Sequence, residues 1–166
     1  MIGVDRFVTV AVHGWSMYPA YADGDKLLAR RRSARRSRAA RAGSVVVVPR
    51  PDEQHGWREH PYPSMGTDGY FVKRVLASPG DEVPGELLAA VDGRPGDRVP
   101  PGMLLIVGDH PLSRDSRQHG YCPAHLVVAV VVCRLSRSGR PVPTSVLSVF
   151  DLPQQGVGLL RSRVAE

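Results

Sequence analysis

The sequence predicts a mainly β fold, a β-barrel-type core with little helix. Two observations carry this expectation: the apolar runs are only four to eight residues long, and Gly- and Pro-containing turns separate them. At 166 residues the chain is sized for one domain and buries about two thirds of its unfolded surface without a disulfide or metal staple. Hydrophobic residues at 42% and charged residues at 23% are the proportions of a soluble globular chain, which excludes disorder throughout.

Residues 7–12 alternate weakly and form a strand entering the turn HGWSMYP. Asp23, Gly24 and Asp25 mark a turn, after which residues 26–29 begin a second strand. Residues 45–48 are four valines ended by Pro49, β-branched toward both faces and therefore a buried strand. Residues 51–69 have little periodicity and read as an insertion loop. Residues 70–76 resume as a strand that Ser78, Pro79 and Gly80 turn, and residues 81–100 are short and rich in Gly and Pro. Two further apolar strands, 104–107 and 126–133, flank the polar segment GDHPLSRDSRQHG. From Ser136 the composition shifts to Ser, Arg, Gly and Pro, then to an apolar patch over 146–152. The expected organisation is one folded domain over 1–135 and a tail over 136–166 that either stays flexible or docks.

Arg30, Arg31, Arg32, Arg35, Arg36, Arg38 and Arg41 concentrate seven positive charges with no acid among them. Removing those seven from the 22 lysines and arginines leaves 15 against 16 acidic residues, so the basicity is one local patch. Like charges repel and stay solvated, which makes an Arg-rich loop over 30–43 the plain reading. The functional reading is attraction to an anionic membrane surface or an acidic partner. Nucleic acid is not expected, because the patch lacks interleaved aromatics and no helix-turn-helix or zinc pattern accompanies it.

Cys122 and Cys133 have no metal-ligand spacing and read as reduced, partly buried thiols. The longest apolar run, 126–133, is far short of the about 20 residues that a spanning helix needs. Asp5 and Arg6 interrupt the apolar N-terminus, against a cleavable signal peptide. The expected location is cytoplasmic or peripheral to a membrane.

The chemistry lies in three separated blocks. Ser16 sits in HGWSMYP between Gly14 and Pro19, where a tight turn projects a hydroxyl. Lys73 sits in FVKRV among Phe71, Val72, Val75 and Leu76, where an amine is kept from water. Ser113 sits in GDHPLSRDSR. Alternation on a strand sends Lys73 to one face with Phe71 and Val75, leaving Arg74 exposed on the other. A lysine in water has a pKa of about 10.4, so only some four in ten thousand are free amine at neutral pH, and a useful base needs that value lowered by roughly 3 units. Taken alone Lys73 would be an ordinary surface residue with its stem laid on apolar neighbours. Ser16 and the GDHPLSRDSR block reverse that reading.

Four ordered blocks, GWSMYP, AGSVVVV, VKRVLASPGD and GDHPLSRDSR, resemble the signal peptidase I family of serine proteases over roughly residues 10–134. The resemblance implies a signal-peptidase/LexA-like catalytic core with a Ser/Lys dyad and no cofactor or metal. By residue, it implies Ser16 as nucleophile, its backbone N–H as an oxyanion donor, and Lys73 as base. Ser113 then orients the lysine, and Asp115 and Arg117 hold the segment. Met17, Pro19, Arg74, Gly108, Asp109 and Ser116 complete the motifs. Gly14 stands where many relatives place a second oxyanion hydroxyl, and His110 where an asparagine is common. A Ser/His reading through His13 lacks an evident orienting acid. The implied substrate is a protein with an N-terminal leader, and the small size and arginine run resemble the maturation proteases of nickel-type superoxide dismutase.

The alternatives are a signal peptidase I acting on exported preproteins, a LexA-like regulator, and a catalytically silent binding module. Against the regulator, only fifteen residues precede Ser16 and they hold no Ala-Gly pair.

Overall fold

A computed structural model describes residues 7–32, 40–57 and 69–138. They form seven strands: β1 (Phe7–Ala11), β2 (Lys26–Arg31), β3 (Val45–Pro49), β4 (Tyr70–Ala77), β5 (Met103–Val107), β6 (Cys122–Pro123) and β7 (Ala129–Ser136). The strand order is β1-β2-β7-β3-β4-β5-β6 and every pairing is antiparallel. Helix is limited to α1 (Ser116–His119) and three single 3-10 turns. The mainly β class read from the sequence holds.

The valine run shows why the core lies on both sides of the sheet. All five residues of β3 are buried, with Val45 and Val47 packing beside Val10, Met17, Leu27 and Val72. Val46 and Val48 face the other way, into a second cluster with Phe71, Val75, Leu104 and Ile106. A strand alternates its side chains, so only apolar residues at every position suit a place covered on both faces. β5 repeats the pattern: Leu104 and Ile106 enter the second cluster, and Leu105 and Val107 enter a third with Val83, Leu87 and Val99.

That third cluster gives the Gly/Pro-rich stretch over 81–100 a structural task. Its 3-10 turns Gly85–Leu87 and Ala89–Val91 place Leu87 beneath β5, with Leu88 and Val91 packed at the cluster's edge.

The last strand differs from the sequence expectation of 126–133. Residues Ala124–Leu126 form a 3-10 turn started by Pro123, and β7 begins at Ala129 and runs to Ser136. An unbroken apolar run carries no mark of its own ends, so pairing sets them: Arg31 lies opposite Ala129 and Lys26 opposite Ser136, with two irregularities between. The fold therefore continues past residue 135. Ser138 N–H donates to Asp25 Oδ1 at 2.9 Å and its hydroxyl bonds the Asp23 carbonyl.

The arginine patch is also only partly a loop. Arg30 and Arg31 belong to β2, and Arg32 follows it, donating from its backbone to Val128 O at 2.9 Å and from its guanidinium to Ala124 O. Arg35, Arg36 and Arg38 lie outside the described residues, as do 58–68 of the insertion loop and 139–166 of the tail. The two thiols are unbonded, but they differ from each other: Cys122 is buried in the second cluster and Cys133 is exposed on β7. Burial pushes the Cys122 thiol up to about 12. No helix among the described residues is long and apolar enough to cross a membrane.

Asp25 fastens the start of β2 to the end of β7. It is buried, accepts from Ala22 N and Ser138 N at 3.1 and 2.9 Å, and lies 3.3 Å from Arg134 Nε. Removing a buried carboxylate strands these donors and the guanidinium. Asp25→Ala is expected to destabilise the fold by about 2–4 kcal/mol in urea denaturation, whereas Asp81→Ala, at an exposed turn, is expected to leave the unfolding midpoint nearly unchanged.

Candidate active site

Ser16 sits in a turn built by its neighbours. Gly14 adopts φ 78°, a left-handed conformation that favours glycine, and its N–H donates to Asp23 Oδ1 at 2.8 Å. Tyr18 N–H bonds Trp15 O and Tyr21 N–H bonds Met17 O, at 2.9 and 2.8 Å, closing successive turns. Trp15 and Met17 are buried on either side, Trp15 meets Tyr18 edge to face at 5.4 Å, and the Tyr18–Pro19 bond is cis. The Ser16 residue is 6% exposed, and neither its hydroxyl nor its N–H makes a hydrogen bond among the described residues.

Lys73 lies in the middle of β4, opposite Val46 of β3, and is 0% exposed. Alternation gives it the face of Phe71 and Val75, and its Nζ stands 4.6 Å from the Phe71 ring centroid. Nζ donates to Ser113 Oγ at 2.6 Å. Burial lowers its pKa from 10.5 to about 8; nearby Asp115 opposes that shift, Arg117 adds to it and Asp109 opposes it.

Gly108, after β5, is where the parts converge. A Cβ there would stand 2.1 Å from Ser113 Oγ and 2.3 Å from the Ser16 carbonyl oxygen, so any side chain is excluded. The same carbonyl accepts from His110 N–H at 3.1 Å, which ties the Ser16 turn to the segment carrying Ser113.

Asp115 holds that segment. Buried at the start of α1, it forms a capping box with Gln118, and its Oδ1 accepts from Arg117 N–H at 3.0 Å. Its Oδ2 accepts from Gly108 N–H at 2.8 Å and from Arg117 Nη1 at 3.1 Å. Ser116 Oγ accepts from Ile106 N–H at 2.9 Å. Arg74 does not stand free on the opposite face as the strand pattern implies: it grips Asp109 with two hydrogen bonds of 2.8 and 2.7 Å. A partner 35 positions away along the chain leaves no sign in the local pattern of β4.

His13 has an acid nearby after all, since Asp23 Oδ1 lies 3.9 Å from its Nδ1. The sequence hides this because the acid sits ten residues on, across the turn. At that distance there is no hydrogen bond, the His13 side chain is 42% exposed, and Asp23 is already committed to Gly14. His110 is a turn residue whose Nδ1 accepts from Leu112 N–H at 3.2 Å.

The family model of the signal peptidases, peptidase S26, matches residues 2–87. The chain belongs to this family. Membership makes it a serine peptidase acting on protein substrates, and the matched stretch carries both the Ser16 turn and Lys73. No curated protein matches the chain. The segment 108–117 lies beyond the matched residues, and the fold brings it against Lys73.

A lysine whose folded pKa is lowered binds fewer protons than in the unfolded chain between about pH 8 and 10.4. Stability therefore rises with pH through that window, and below it the full cost, about 3 kcal/mol, is present. Lys73→Met removes that cost and loses a hydrogen bond worth about 1 kcal/mol. The variant is expected to be about 2 kcal/mol more stable than the parent in urea at pH 7, with the difference closing toward pH 10. Lower stability at pH 7 would contradict a destabilised ammonium.

Proposed function

We propose that the chain is a serine endopeptidase in which Ser16 is the nucleophile and Lys73 the general base, and that it removes an N-terminal leader from a protein substrate. The observation that carries this reading is the buried Lys73 amine on Ser113 Oγ, with the Ser16 turn held against the same glycine. At a pKa of about 8 roughly one amine in ten is neutral at pH 7, against some four in ten thousand for a lysine in water.

Ser16 Oγ attacks the scissile carbonyl as Lys73 Nζ takes its proton. The carbonyl oxygen becomes an oxyanion beside the unengaged Ser16 N–H. Gly14 supplies no hydroxyl and its N–H is already given to Asp23, so the Ser16 backbone is the donor nearest the reaction. The Lys73 ammonium then returns the proton to the departing amine, leaving an acyl-enzyme. Water, deprotonated by the regenerated amine, releases it. Ser113 fixes the amine through the second proton site it occupies, and Asp115 with Arg117 fixes Ser113 by holding the segment.

The substrate we favour is a precursor of nickel superoxide dismutase type, whose leader is removed to expose a metal-binding amine. The small size of the region over 81–100 supports this, and so does the arginine-rich run, which suits an acidic partner or an anionic membrane surface at the cytoplasmic side. Processing of exported preproteins is the other substrate class, and incubation with both kinds of precursor separates them.

Ser16→Ala and Lys73→Ala are each expected to lower precursor cleavage by about 10³-fold or more while retaining the parent's circular dichroism. Mass spectrometry of the products checks this, and full processing by both variants would rule out the Ser16/Lys73 mechanism. The base must lose its proton, so kcat/KM is expected to rise about tenfold per pH unit up to pH 8 and to level above it. A profile flat from pH 6 to 9, with chemistry limiting, would remove Lys73 from that role.

A further inference from the structure

The Phe71 ring faces two cations. Lys73 Nζ stands 4.6 Å from its centroid and Arg50 Cζ 5.7 Å from it. Phe71 is buried and two residues from Lys73 on the same face of β4, opposite Val48, while Arg50 directly follows β3 and is held by its own N–H on Gly69 O at 2.9 Å. An aromatic face attracts a cation through its quadrupole, and the attraction is stronger where water is excluded. The ring therefore favours the charged form of an amine that burial otherwise opposes.

We propose that Phe71 is a positioning residue for Lys73: its face holds the amine opposite Ser113, and the permanent charge of Arg50 on the same ring limits how strongly that face retains the amine's proton. This rests on the reading of Lys73 as the base. The other charged groups acting on the amine are Asp115, Arg117 and Asp109 from the segment after β5. Arg117 is engaged with Asp115 and Asp109 with Arg74, so these pairs are largely self-compensated. Phe71 and Arg50 form the part of the surroundings contributed by β3 and β4.

The sequence offers a clean measurement, because the chain holds only two lysines, Lys26 and Lys73, and Lys26 is exposed. Protein labelled with ¹³C at lysine Cε gives two resonances to titrate, assigned with Lys26→Arg. Lys73 is expected to titrate near 8, well below the about 10.4 of a lysine in water. Phe71→Leu keeps the burial but removes the ring, and is expected to lower the Lys73 midpoint by a further half to one unit, about a three- to fivefold gain in neutral amine at pH 7. Phe71→Met tests the same loss with a different apolar shape. Phe71→Tyr, which keeps a ring face, is expected to restore the parent midpoint, and Arg50→Gln to raise it. The acid limb of the pH–rate profile should move with each midpoint, while the plateau kcat falls for Leu and Met as the amine loses its seat. A Lys73 midpoint unmoved in folded Phe71→Leu and Phe71→Met overturns the proposal and leaves Lys73 as base. A parent Lys73 titrating near the about 10.4 of a lysine in water overturns both.

Discussion

An amine buried away from water, so that it holds its proton loosely, is the condition on which this architecture turns. Water favours an ammonium so strongly that an exposed lysine is useless as a base at neutral pH, and only exclusion of water changes that balance. Lys73 is excluded by standing in the middle of β4, inside a sheet whose two faces are both covered, next to a strand that is apolar at every position. The apolar character of β3 and the lowered proton affinity of Lys73 are thus linked: a strand with polar residues on either face would admit the solvent that favours the charge.

Around that amine the remaining groups are held by backbone more than by side-chain contact. Gly108 allows the Ser16 carbonyl and the Ser113 hydroxyl to approach one point, His110 N–H joins the two segments, and Asp115 satisfies the N–H of Gly108. The Arg74–Asp109 pair acts on the same segment from β4 and couples the position of the lysine's own strand to the turn that presents Ser113.

Much of this was legible in the sequence, and the limits are physical. β3 was readable because four successive β-branched residues have few other places to go, and β4 because its apolar side alternates around Lys73. The end of β7 was not readable, because the run from Leu126 to Cys133 is apolar without interruption and its pairing partner in β2 decides where it starts. The roles of Asp23 and Asp25 were hidden behind their turn propensity. Both are polar residues in a plausible turn, and only the return of Ser138 and Arg134 from over a hundred positions away makes Asp25 a buried anchor. The Phe71–Arg50 contact was invisible for the same reason, being formed between neighbouring strands.

The anchor at Asp25 bears on the timing of synthesis. The Asp23–Asp25 turn that follows Ser16 is translated early, yet it is braced by Ser138 and Arg134, and β7 inserts between β2 and β3 to complete the sheet. Such non-local pairing comes late, after a long loop has closed. A nascent chain still lacking its last described strand has neither the sealed interior nor the braced turn, so on the ribosome Lys73 stays open to water until nearly the whole of this region has emerged.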